Sequence, residues 1–108
     1  KTMSAADWTH QEQSIAKHAF EAGKQRSIEA LILILKEQSA LLDSPESIWK
    51  YHDFLSSERY QYEGRAEFDT ANILFNLADM IKQNLISYED LEGLEQTKLS
   101  KIKAMAMF

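Results

Sequence analysis

The chain has 108 residues, of which 44% are hydrophobic and 27% charged, with a formal net charge of −5 and no cysteine. That length and balance support one principal core and exclude disulfides, a thiolate nucleophile and cysteine-ligated zinc, which suits a reducing cytoplasm. The acidic charge argues against phosphate-backbone affinity and for a protein partner, while no apolar run reaches the roughly 20 residues of a membrane span and no secretory leader is visible, so neither nucleic-acid binding nor membrane insertion is expected.

Met3 reads as the natural start, so Lys1 and Thr2 are set aside. Valine is absent, glycine occurs three times and proline once, so intrinsic preference favours helix along most of the chain. Thr9 and Glu12 have the spacing of a capping box, which predicts a first helix from His10. Its end is expected near Leu42, before Asp43-Ser44-Pro45, with Gly23 as the only weak point. The run Leu31-Ile32-Leu33-Ile34-Leu35 has no second apolar run to pair with as a strand and is read as helix. A second helix is predicted from Pro45, capped by Ser44, to Gly64, with Ile48, Tyr51, Leu55 and Tyr62 as its core stripe. Phe68, Ala71, Leu74, Leu77, Ala78, Ile81 and Leu85 follow helical spacing, Asn84 suits a left-handed turn, and Ser87 with Asp90 resembles a new helix start. Leu91, Leu94, Leu99, Ile102 and Met105 supply the last apolar stripe. The expected architecture is all-α: a helical hairpin over residues 9–64 and a small helical head over 65–108.

A helix from His10 to Leu42 is about 50 Å long, against a diameter of roughly 35 Å for a compact chain of this size, so the hairpin is expected to project as a stalk. Leu31, Ile32, Ile34 and Leu35 encircle the first helix, and one neighbouring helix covers only part of them. A symmetric homodimer using these residues together with Trp49 is the simplest way to bury the rest.

The second helix carries Trp49, His52, Asp53, Ser56, Arg59 and Tyr60 on the arc away from its predicted core stripe. Tryptophan, tyrosine and arginine anchor interfaces because they join large buried area to directional hydrogen bonds. Asp53 and Arg59 are too far apart to pair within one helix and suit contacts across an interface. The run Ile48-Trp49-Lys50-Tyr51-His52-Asp53-Phe54-Leu55-Ser56 through Arg59, together with Leu99-Ser100-Lys101-Ile102-Lys103-Ala104, resembles the signature segments of the fluorescence recovery protein family, and the likeness extends from Trp8 to the C-terminus. The resemblance implies a dimer of helical hairpins with a small head, without cofactor or covalent chemistry. It also implies a cytoplasmic place, peripheral at the thylakoid surface, and as partner the photoactivated orange carotenoid protein, whose return from the red to the orange form the family accelerates. By position, Trp49, His52, Asp53, Arg59 and Tyr60 would belong to the stalk's contact patch, and Phe75 and Lys101 to the head's. Tyr60-Gln61 stands where the family usually has His-Glu, and Leu74-Phe75-Asn76-Leu77 where it has a longer aromatic and β-branched run. The alternative this leaves open is a dimeric scaffold for a different client.

Tyr88 to Met105 also admits a helix-turn-helix reading, with Lys98, Lys101 and Lys103 facing DNA, against which stand the acidic charge and the lack of an Arg or Asn set for base edges. His10, His18 and His52 lack the close spacing of a helical metal site, and no nucleophile motif, phosphate-binding loop or two-carboxylate signature marks an enzyme.

Overall fold

The computed structural model describes residues 7–64, 68 and 71–108 and contains only helices and turns among them. Among the described residues four α-helices follow in order: α1 (His10–Ser39), α2 (Pro45–Gly64), α3 (Ile73–Lys82) and α4 (Gln96–Ala106), with a 3₁₀ turn at Tyr88–Leu91 before α4. No helix is long and apolar enough to cross a membrane among the described residues. Lys1, Thr2 and Met3 lie outside those residues. The chain divides into two compact units, one formed by Lys1–Arg26 with Phe68–Phe108 and the other by Ser27–Glu67, so α1 contributes to both.

In the first unit the expected signals act where they were read. The Thr9 N–H donates to Glu12 Oε1 at 3.1 Å and the Glu12 N–H to Thr9 Oγ1 at 3.0 Å, so each side chain satisfies a backbone donor that the first helical turn leaves open. Asn84 adopts the left-handed conformation at φ 61°, and Ser87 with Asp90 forms a second capping box. That box opens only a 3₁₀ turn, because Gly93 at φ 105° ends it at once and lets the chain turn into α4. Phe20, Ile73, Leu77, Met80, Leu91 and Ile102 are fully enclosed, with Ala16, Ala19 and Ala78 filling the narrower gaps. Phe20 meets Phe68 edge to face at 5.8 Å between centroids. Gly23 is a close-approach position rather than a weak point: a Cβ there would sit 2.6 Å from Met80 Sδ and 3.1 Å from Ile86 Cγ2, and the helix continues through it.

One ion pair lies inside this unit. Lys98 on α4 places its Nζ 3.1 Å from Glu12 Oε1 and 3.4 Å from Glu95 Oε2, and 5.1 Å from the centre of the Trp8 ring. Glu12 Oε2 accepts the Glu95 N–H at 2.9 Å. Burial pushes the Glu12 carboxyl up, but the backbone N–H groups of Glu95 and Thr9 and the Lys98 ammonium outweigh it and hold the group below its ordinary value. Burial likewise lowers Lys98, and its two carboxylate partners more than restore it. On the same unit Arg26 donates to the Leu85 carbonyl at 2.9 Å and to Asp90 Oδ2 at 3.1 Å, tying α1 to the turn before α4.

The second unit pairs the later part of α1 with α2 as an antiparallel hairpin. α1 ends at Ser39, three residues before the expected limit. The Ser39 hydroxyl donates to the Lys36 carbonyl at 3.0 Å, and the Leu41 N–H turns back to the Gln38 carbonyl at 3.0 Å, which tightens the last turn and leaves Leu41 and Leu42 in the connection. α2 starts and stops as expected. Ser44 and Ser47 cap it reciprocally: the Ser47 N–H donates to Ser44 Oγ at 3.1 Å and the Ser44 N–H to Ser47 Oγ at 3.0 Å.

Candidate docking surface

α2 has no fully buried residue. Its half-buried positions are Ser47, Tyr51, Phe54 and Glu58, an i, i+4, i+7, i+11 series that defines the side laid on α1. The expected core stripe is therefore rotated: Tyr51 belongs to it, its hydroxyl 3.4 Å from the Leu35 carbonyl, but Ile48, Leu55 and Tyr62 lie on the flank and remain exposed. Leu31 and Leu35 of α1 are half-buried, whereas Ile32, Leu33 and Ile34 are exposed. The hairpin thus carries a broad apolar surface that a single copy leaves open.

Beside that flank lies the mixed aromatic and charged arc. Trp49 is 64% exposed and Tyr60 81%. The Trp49 and His52 rings stand edge to face with centroids 6.5 Å apart, as one helical turn allows, and His52 Nδ1 lies 3.4 Å from Asp53 Oδ1. Arg59 Nε donates to Glu63 Oε1 at 2.7 Å across the next turn. His52 and Arg59 also line a groove of about 470 Å³ whose remaining walls include Ile28, Leu31, Leu55 and Tyr62. An imidazole and a guanidinium at the rim of an apolar groove offer hydrogen bonds around a hydrophobic contact, the arrangement expected of an interface anchor. Arg59 is paired with Glu63, a partner not singled out from the sequence although its i, i+4 spacing is a readable signal. A second groove of about 400 Å³ lies near the α1–α2 connection, among Ile34, Leu41, Leu42, Tyr51 and Phe54.

Phe75 and Lys101 belong to the first unit. Phe75 is 65% exposed on α3, opposite the buried Ile73, Leu77 and Met80, so it is a surface side chain and not part of the core. Lys101 is exposed on α4. The two other lysines of the helix-turn-helix reading are engaged: Lys98 is buried in its ion pair, and Lys103 lies 5.4 Å over the Tyr88 ring. Tyr88–Leu91 is one 3₁₀ turn, so the segment from Tyr88 to Met105 contains no pair of helices, and that reading is corrected. No group of three or more His, Asp or Glu side chains placed to hold a metal ion occurs among the described residues.

Fold and surface together define a small all-helical protein that displays aromatic and charged side chains on an open helix face. Residues 8–106 match the model of the photoprotection regulator fluorescence recovery protein family. The fluorescence recovery protein of Synechocystis sp. is 33% identical over 101 residues, 94% of this chain and 93% of that protein. Among solved structures, the fluorescence recovery protein of Fremyella diplosiphon superposes with a TM-score of 0.86 at 33% identity, covering 94% of this chain and 99% of the other. The one from Synechocystis sp. PCC 6803 gives a TM-score of 0.85 at 32% identity over the same shares. The chain belongs to the fluorescence recovery protein family of photoprotection regulators.

Proposed function

We propose that this protein binds the photoactivated orange carotenoid protein and accelerates its return from the open red form to the compact orange form, restoring fluorescence of the light-harvesting antenna. The observation that carries the reading is the exposed arc of α2, where Trp49 and Tyr60 stand out from the surface beside His52, Asp53 and a Glu63-braced Arg59. A protein without reactive groups speeds a conformational return only by binding the transition state, or a compact intermediate, more tightly than the open state. The groove rimmed by His52 and Arg59 supplies directional contacts for such discrimination, with Phe75 and Lys101 as contacts from the first unit.

The working form in this reading is a homodimer. Ile32 and Ile34 are exposed although strongly apolar, and a second hairpin laid on them, with Leu31, Leu35 and Trp49 at its margins, removes them from water. The direct test adds the purified protein in the dark to light-activated orange carotenoid protein and follows red-to-orange recovery by absorbance. Faster recovery with a complex on a sizing column supports the reading; an unchanged rate without a complex leaves a dimeric scaffold for another client.

A further inference from the structure

Glu12 and Lys98 are the only buried charged residues among those described, at 6% and 2% exposure, and their pairing joins positions 86 residues apart in sequence. Glu12 is fully used. Oε1 accepts from the Thr9 N–H and from Lys98 Nζ, and Oε2 accepts from the Glu95 N–H, so one carboxylate serves the first turn of α1 and the first turn of α4 together. Glu95, the N-cap residue of α4, makes no side-chain cap hydrogen bond, and the Glu12 carboxylate accepts its backbone N–H, adding a second negative charge at that helix start. Lys98, by contrast, is a cation in the first turn of α4, where the helix dipole disfavours it and only the two carboxylates offset it.

Such a pair is a poor way to add stability, since apolar side chains of similar volume do as well or better in the same space. What it adds is direction. The surrounding core is made of Ala, Ile, Leu, Met, Phe and Trp8, whose apolar contacts are not directional, whereas three donors converging on one carboxylate are. Lys101, three residues after Lys98 and about 60° round α4 from it, stands exposed at the edge of the inward face, so the rotation that Lys98 sets also sets where Lys101 stands.

We propose that the Glu12–Lys98 pair is a positioning device that sets the register and rotation of α4 against α1, and thereby the presentation of the exposed α4 face that includes Lys101. The consequence for partner recovery rests on the function proposed above; the placement of α4 does not, so the two are tested separately.

The chain lacks cysteine, so two can be introduced cleanly, at the exposed His18 on α1 and at Lys101, and spin-labelled; dilution with unlabelled protein removes any signal between chains. The distance distribution measured by pulsed electron resonance is expected to be single and narrow in the parent. In Glu12→Leu/Lys98→Met the expected result is loss of that single distance to a broad or multi-peaked distribution while the thermal midpoint is kept or raised, and Lys98→Arg is expected to keep the narrow peak. If the double variant does not fold, Glu12→Gln, which keeps one acceptor oxygen and loses the charge, is read in the same way. An unchanged narrow distribution in a folded variant lacking the ion pair overturns the proposal.

Discussion

The two units are built to different degrees of completion. The first encloses Phe20, Ile73, Leu77, Met80, Leu91 and Ile102 and satisfies its buried carboxylate and ammonium internally, whereas α2 in the second buries no residue fully and leaves Ile48, Leu55 and Tyr62 on a flank. One unit encloses its apolar side chains by itself; the other leaves open an apolar surface of the kind that marks interaction sites. The difference supports the docking surface proposed above: a protein that works by contact keeps apolar and aromatic side chains exposed where contact occurs.

The largest expected effect is at Phe20, where Phe20→Ala empties a fully enclosed site and should cost about 3–5 kcal/mol, read by denaturant unfolding. Gly93→Ala should cost about 1–3 kcal/mol, because φ 105° is strained for any side chain and the new Cβ would lie 2.6 Å from Ile15 Cδ1. Acid should weaken the first unit progressively. Glu12 and Asp90 are held below their ordinary values of 4.5 and 3.8, so their contribution is complete above those values and is lost as pH falls through the lowered ones. For Asp90 the cause is first the Ser87 N–H and, against opposing burial, then the Arg26 guanidinium. Lys98 is raised above 10.5, so its contribution is present below that value and disappears only as pH rises through the raised one. Thermal midpoints recorded from neutral pH downward should therefore stay level until the carboxylate range and then fall. The smallest effect expected on the first unit is from Ile32→Glu, within about 0.5 kcal/mol, while sedimentation should register a shift from dimer to monomer. A loss of the first unit's fold in that variant would break the division drawn between the units.

Much of the fold is legible in local signals. Thr9 with Glu12, Ser44 before Pro45, Asn84 and the Ser87–Asp90 spacing each fix a start or a turn through contacts within a few residues, and each acts where expected. Two features escaped for different reasons. The inward side of α2 departs from its hydrophobic pattern because Ile48, Leu55 and Tyr62 are apolar without being internal, while Ser47 and Glu58 are polar and lie against α1; hydrophobicity identifies what avoids water and not which neighbour covers it. The Glu12–Lys98 pair had no local signal, since its members are separated by nearly the whole chain and each carries its own plausible surface role. The exposed aromatic and charged arc is readable as a set of residue types on one side of a helix; the Glu63 pairing of Arg59 and the groove beside His52 needed coordinates.

The most direct test of the exposed arc as a docking surface is titration of Trp49→Ala against photoactivated orange carotenoid protein, with helical content followed by circular dichroism on the same samples. Binding is expected to weaken by about 2 kcal/mol, roughly thirtyfold, with helicity unchanged. Undiminished binding, or loss of the fold together with the indole, would contradict a surface kept open for a partner.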